Sequence, residues 1–172
     1  LGAEKSNGGN DPNIVQIHAD GRRIFDHVLR DGDLSKQFTL NISGVDKLEF
    51  SLVKPEVEAA FCEVALWTKG QTPHDLRGKN DPQVKTRMLF KDIAPYRINY
   101  SSSNTKGDSG RHTLVGPDKK TKSIKIGNKE YDYGLWLGMS MQLIGGGESE
   151  TNFNIRGQYE TLSFVVGPLA TD

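Results

Sequence analysis

The sequence is poor in cysteine, since Cys62 is the single one among 172 residues. One thiol excludes an internal disulfide framework and a zinc site built from several cysteines. Because Cys62 lies in the apolar stretch AAFCEVALW, we expect a buried, structural thiol. No apolar run approaches the length of a transmembrane helix, and no basic and apolar leader is present. We therefore expect no membrane insertion, and we expect that any export signal was removed or never existed.

An excess of charge of one sign is lacking as well. Lys and Arg together number 22, and Asp and Glu together also number 22. No strong overall field therefore favours a polyanion, and we expect no binding to nucleic acid.

Local patterns of catalytic chemistry are also missing. His18, His27, His74 and His112 stand far apart, without the spacing of a metal-binding pair. No Gly-x-Ser-x-Gly element is present, and the glycines at 145–147 lack the lysine and the helix of a phosphate-binding loop. We predict that the protein is not an enzyme and holds no cofactor.

Period-two alternation of apolar and polar residues recurs along the chain, whereas helical periodicity does not. The alternating segments predict strands at NIVQIHA, RRIFDHV, KQFTLNI, KLEFSLV, FCEVALW, YRINY, SIKI, GLWLGMSMQLI, NFNI and TLSFVV. This pattern predicts an all-β fold, an antiparallel β-sandwich, with residues 1–172 as a single domain. A long connection at about 68–92 divides the chain, and a short surface helix around Asp81 to Phe90 is the alternative for part of it.

Two segments share a pattern that is typical of a β-hairpin. Both FTLNISGVDKLEFSL and FNIRGQYETLSFVV contain Asn-Ile, one residue, a glycine, a polar turn and then Leu-x-Phe. We predict that each is a hairpin and that two antiparallel sheets enclose their apolar side chains. The predicted core consists of Phe38, Leu40, Ile42, Leu48, Phe50, Leu52, Phe153, Ile155, Leu162, Phe164 and Val166.

The second half of the chain resembles the NPCBM family, a family of novel putative carbohydrate-binding modules. The resemblance rests on KSIKIGNKEYDYGLWLGMSMQL and FNIRGQYETLSFVVG, with matches at Ile126, Gly127, Tyr131, Gly134, Leu135, Gly157, Tyr159, Val166 and Gly167. The first half is similar to the part of the family that follows Val-Gly, with matches at Asp20, Gly21, Ser43, Gly44, Leu48 and Trp67. The two halves of the family pattern therefore stand in rotated order.

The resemblance implies a jelly-roll, galactose-binding-like sandwich that is circularly permuted, with the last strand paired inside a sheet, next to the strands that open the chain. The alternative is that the chain spans adjoining halves of two tandem modules and closes by exchange between copies. The resemblance also implies lectin-like, non-catalytic carbohydrate binding by a secreted or cell-surface protein. Because a fold does not fix function, the alternative function is a protein–protein interaction or structural assembly domain of a larger surface protein.

A structural calcium ion is a further expectation that the resemblance raises. The family has acidic residues directly after Val-Gly, whereas this chain has the apolar segment 168–170 there. Oxygen ligands of the kind that calcium needs occur at Asn10 and Asp11 and at Asp31 and Asp33. These residue types also favour turns for local reasons, so metal binding is left open.

The segment GLWLGMSMQLI predicts a candidate sugar site. Alternation places Leu135, Leu137, Met139, Met141 and Leu143 on one face of the strand and Trp136, Gly138, Ser140 and Gln142 on the other. An exposed tryptophan beside a glycine suits the apolar face of a pyranose. The alternative is that a loop such as NYSSSNTKGDSGRH covers the tryptophan. The predicted ligand-binding residues, with partners placed by the family's loop-end site, are Trp136, Arg97, Asn99, His112 and Gln142.

Overall fold

The computed structural model describes residues 13–53, 58–71, 87–100, 112–115, 123–137 and 149–169 of the chain. In these ranges the first five strands are β1 (Asn13–Ala19), β2 (Arg22–Leu29), β3 (Lys36–Asn41), β4 (Lys47–Val53) and β5 (Ala59–Trp67). They are followed by β6 (Arg87–Met88), the helical turn α1 (Leu89–Asp92), β7 (Arg97–Tyr100) and β8 (His112–Val115). The remaining strands are β9 (Ile124–Ile126), β10 (Lys129–Tyr131), β11 (Gly134–Leu137), β12 (Ser149–Asn154) and β13 (Thr161–Pro168).

The strands form two large antiparallel sheets that face each other. Sheet A has the order β2-β1-β4-β12-β7, and sheet B has the order β3-β13-β5-β11-β8, with β6 added beside β5. Strands β9 and β10 form a separate hairpin, which we call the cover hairpin. The prediction of an all-β, antiparallel sandwich is confirmed.

One cluster of buried apolar side chains lies between the two sheets. Nine of the eleven predicted core residues are buried in it, whereas Phe38 and Leu40 are only partly buried and pack against it. These two residues lie on β3, which is the edge strand of sheet B and therefore has a neighbour on one side only.

The two predicted hairpins are wrong, because each segment connects the two sheets. Strand β3 belongs to sheet B and β4 to sheet A, while β12 belongs to sheet A and β13 to sheet B. Each segment is therefore a β-arch, and the two arches pair with one another, β4 with β12 and β3 with β13. Their turns are joined as well, since the Gly157 backbone N–H donates to the Val45 carbonyl at 2.8 Å and the Ile155 N–H donates to the Asp46 carbonyl at 2.7 Å.

Strand β13 is not an edge strand, as it is paired on one side with β3 and on the other with β5. Its side chains share the core with those of β1, since Phe164 and Val166 belong to the same cluster as Val15 and Ile17. The expected pairing inside a sheet is observed, but the neighbours of β13 are β3 and β5 and not the opening strands β1 and β2, which belong to sheet A. The rotated order itself stays a prediction.

The cover hairpin packs on the outer face of sheet B, away from the shared core. Its residues Ile124, Ile126 and Tyr131 form a second apolar cluster with residues of the sheet beneath. The hairpin approaches the sheet so closely that a β-carbon on Gly134 would lie 2.5 Å from Ile124 Cδ1, and one on Gly167 would lie 2.5 Å from Ile126 Cγ2. Glycine at these two positions is what allows this close contact.

The long connection is described only at its two ends. The alternative of a surface helix around Asp81 to Phe90 is replaced, within the described part, by strand β6 and the single turn α1. That turn is not wholly on the surface, because Leu89 is buried in the core. No helix in the described ranges is long and apolar enough to cross a membrane.

Candidate functional site

The tight turn between β1 and β2 positions one end of the candidate site. Asp20 and Gly21 have positive φ angles of 48° and 80°, as the two central residues of a type I′ hairpin turn require. The Asp20 carboxylate accepts hydrogen bonds from the backbone N–H groups of Asp46 and Lys47, the shortest at 2.9 Å. The β1–β2 turn is thereby attached to the start of β4.

Four polar residues form one row across sheet A, which we call the polar row. His18 of β1 is paired with Glu49 of β4. Glu49 is paired with Asn152 of β12, and Asn152 in turn with Arg97 of β7. The residues on either side of His18, Glu49 and Asn152 are buried, so the row lies on the outer face of the sheet. Directly opposed residues have β-carbons about 4.5–5.5 Å apart, so neighbours in the row can hold one small ligand together.

An open groove of about 440 Å³ lies over this row. His18, Glu49 and Asn152 line it, together with Asp20 and the residues at 46–48 of the turn region. A volume of this size lies within the range that small-molecule sites occupy. The groove thus combines a ladder of polar side chains with a firmly held turn at one end.

Tyr96 forms the aromatic part of the groove wall. Its residue surface is 54% exposed, which makes it and Leu34 the exposed large apolar residues of the described ranges. Its backbone N–H donates to the Asn152 carbonyl at 2.9 Å, so the residue is fixed beside the polar row. An exposed ring held in place by its backbone offers a flat surface at low entropic cost.

Two side chains of the groove carry polar atoms that have no hydrogen-bond partner in the described ranges. Asn152 is only 7% exposed, and its Nδ2 has no partner among the described residues. His18 Nδ1 lies 3.5 Å from Glu49 Oε1 but lacks hydrogen-bonding geometry. A buried donor without a partner costs about 1–3 kcal/mol. A ligand that supplied the missing partner would recover part of that free energy.

Trp136, the centre of the predicted site, lies on the other side of the sandwich. Leu135 and Leu137 face the shared core as predicted, and Trp136 points to the outer face of sheet B. There it is partly buried and packs against the second apolar cluster, in which Ile124 and Ile126 of the cover hairpin take part. The expected exposed ring is therefore not observed. Trp136 is partly covered, as the alternative held, and within the described residues the cover hairpin contributes to this covering.

The predicted partners of Trp136 are divided between the two sheets. Arg97 ends the polar row on sheet A, where its Nε lies 3.9 Å from Glu150 Oε1 and its side chain is 60% exposed. Since that face is opposite to the one with Trp136, the two residues cannot share a site. Asn99 lies on β7 with its backbone opposite Glu150. His112 lies on β8, a strand that the sequence analysis treated as loop, with its backbone opposite Leu137. Gln142 lies outside the described residues.

Metal ligands are not brought together in the described part of the chain. No group of three or more His, Cys, Asp or Glu side chains there is placed to hold a metal ion. Asp33 instead closes its own turn, with its carboxylate accepting the Arg30 N–H at 2.9 Å, and Asp31 lies in the same turn. Asn10 and Asp11 fall outside the described residues.

Cys62 lies at the outer face of sheet B beneath the cover hairpin and is buried, as predicted. Burial, with a smaller contribution from Glu63, raises the pKa of this thiol far above its usual range. Since only the thiolate is nucleophilic, the folded protein should not react with Ellman's reagent at pH 8, whereas the chain unfolded in guanidinium chloride should react at once. Rapid labelling of the folded protein would contradict this placement of the cysteine.

Comparisons of the chain with protein-family models, with curated proteins and with solved structures find no match. The resemblance to the NPCBM family therefore rests on the quoted residues alone, and the function has to be argued from the site.

Most of the groove is not predicted from the sequence. Alternation correctly places His18, Glu49 and Asn152 on outward positions of their strands. What it lacks is the sheet order, which joins strands far apart in the chain into one row. The sequence feature that could have indicated the groove is Tyr96, an aromatic residue directly before Arg97 in the segment PYRINY.

Proposed function

We propose that the protein binds a carbohydrate without catalysis, in the groove on the outer face of sheet A. The observation that carries this proposal is the exposed Tyr96 ring beside a row of polar side chains in an open groove. Sugars have an apolar ring face and a rim of hydroxyl groups, and this combination of surfaces suits both. The resemblance to carbohydrate-binding modules supports the same ligand class, and an extracytoplasmic location belongs to the same proposal.

This placement keeps Arg97 of the predicted site and replaces Trp136 by Tyr96 as the aromatic platform. Tyr96 and Arg97 are consecutive, and Arg97 stands at the end of the polar row beside Asn152. Trp136 is the weaker candidate because the second apolar cluster already packs against its ring.

The test is a glycan array with the purified chain, followed by calorimetric titration of the best ligand with single variants. Tyr96→Ala should weaken binding about tenfold or more, which corresponds to ~1.4 kcal/mol, because it removes the flat apolar surface. Leu34→Ala is the matched control, since Leu34 is exposed to a similar degree but lies outside the groove. It should leave the affinity unchanged.

Trp136→Ala separates the two faces of the sandwich. Under the proposal this variant binds as well as the parent, provided that its unfolding midpoint shows a folded protein. If Trp136→Ala loses binding while Tyr96→Ala retains it, the site lies on sheet B and the proposed groove is wrong. If no glycan binds the parent, the interaction or assembly role becomes the better account.

A further inference from the structure

We propose that the groove recognises an uncharged sugar through two adjacent hydroxyl groups, one donating to the Glu49 carboxylate and the other bonded to the Asn152 amide. This inference rests on the proposed function and names the class of sugar that the groove accepts. Three features support it: Asn152 Nδ2 has no partner among the described residues, Glu49 lies directly opposite Asn152, and carboxylates surround the two side chains.

The Asn152 side chain is more than nine-tenths buried and lines the groove, and its Nδ2 has no acceptor among the described residues. Nδ2 is a donor only, so a ligand has to supply an acceptor, and a hydroxyl oxygen does so while its own hydrogen remains able to donate elsewhere.

Asn152 and Glu49 are directly opposed on neighbouring strands, and His18 stands on the far side of Glu49 with Nδ1 at 3.5 Å from Oε1. A carboxylate accepts several hydrogen bonds, so Glu49 can keep its protein contacts and still accept from a ligand. Hydroxyls on adjacent ring carbons are close enough together to reach two opposed side chains of one row.

Three carboxylates line the groove, those of Asp20, Asp46 and Glu49, against the single lysine Lys47. The other cation, Arg97 at the end of the polar row, lies beside the Glu150 carboxylate, with Nε 3.9 Å from Oε1. An anionic sugar would place its carboxylate among these groups and be repelled. An ammonium group would suit the carboxylates but supplies donors alone, and would leave Asn152 Nδ2 without its acceptor. Neutral hydroxyls satisfy both requirements.

The experiment titrates the full chain with methyl glucoside, methyl galactoside and methyl mannoside, or with disaccharides of the same sugars if single units bind too weakly. The sugar that binds best is then compared with its monodeoxy derivatives, its uronic acid and its 2-amino-2-deoxy derivative. We expect two monodeoxy derivatives, lacking hydroxyls on adjacent carbons, to bind about tenfold more weakly than the parent sugar. The uronic acid and the amino sugar should also bind more weakly.

Variants assign the two hydroxyls. Asn152→Ala removes the protein partner of one hydroxyl. The monodeoxy derivative that lacks this hydroxyl should therefore bind the variant as tightly as the complete sugar does. Glu49→Gln should reduce the difference in affinity between the neutral sugar and its uronic acid. The substitution removes the charge of the Glu49 carboxylate and keeps the shape of the side chain. Circular dichroism and the unfolding midpoint confirm that both variants are folded.

The outcomes distinguish this inference from the function on which it rests. If a uronic acid binds at least as tightly as the neutral sugar, or if no pair of adjacent hydroxyls matters, the sugar class is wrong while the carbohydrate site stands. If none of the glycans binds the parent, both fail. Removal of a hydroxyl from the sugar could also weaken binding equally in the parent, in Asn152→Ala and in Glu49→Gln. In that case the sugar binds elsewhere and the inference is wrong.

Discussion

Phe164→Ala and Phe50→Ala should each lower the free energy of unfolding by about 3–5 kcal/mol. Phe164 lies at the centre of an aromatic group, with its ring centroid 5.0 Å from that of Phe25 and 5.6 Å from that of Phe61. The Phe50 ring is 5.0 Å from that of Phe61 on the opposing sheet. Both residues are essentially fully buried, so truncation leaves a cavity that joins the two sheets.

Urea unfolding followed by circular dichroism measures these losses. Phe38→Ala is the matched control, because the same ring type on edge strand β3 is only partly buried. It should cost clearly less than either buried phenylalanine. Losses below about 1 kcal/mol at both Phe50 and Phe164 would be typical of solvent-facing sites and would refute the core assignment.

Gly134→Ala and Gly167→Ala should each destabilise the protein by about 1–3 kcal/mol. This is the opposite of the usual effect, because glycine inside a strand ordinarily weakens it. At Gly167 the added carbon would lie 2.5 Å from the Ile126 side chain and 3.2 Å from Ser35 Cα. At Gly134 it would lie 2.5 Å from the Ile124 side chain and 2.8 Å from the backbone oxygen of Phe61.

Double variants should separate the two glycines. Ile126→Ala should relieve most of the penalty of Gly167→Ala. The double variant should therefore lose less stability than the two single variants lose together. Ile124→Ala should relieve little of the penalty of Gly134→Ala, because the Phe61 backbone oxygen remains in the way. If Ile126→Ala relieved none of the penalty of Gly167→Ala, the cover hairpin would not pack on the sheet as described.

The sequence predicts the fold class well because alternation is a local property. Strands β1 and β4 have the predicted bounds, and the apolar positions of both arches face the core. The same local pattern cannot tell a hairpin from an arch, since both need alternating arms and a turn with glycine. Which backbone pairs with which depends on contacts between distant parts of the chain, and the arches were misassigned for that reason.

The candidate site depends even more on such distant contacts. Glu49 and Asn152 become neighbours because β4 pairs with β12. The sequence of neither segment predicts this pairing. For Trp136, alternation predicted the correct face of the strand but not the cover hairpin that packs on that face. Turn chemistry is local by comparison, as Asp20-Gly21 shows, because the positive φ angles of this turn are adopted by two adjacent residues.

The central position of β13 has a consequence for how the chain folds. Strands β3 and β5 are not paired with each other but are joined through β13, the last strand described along the chain. During synthesis, sheet B therefore stays open until that strand has emerged, while β1, β2 and β4 of sheet A can already pair. Contacts so distant in sequence predict slow folding, on the millisecond to second scale. They also predict a late step in which β13 inserts between the unpaired edges of β3 and β5. Those two edges are where an incomplete chain would be most exposed to aggregation.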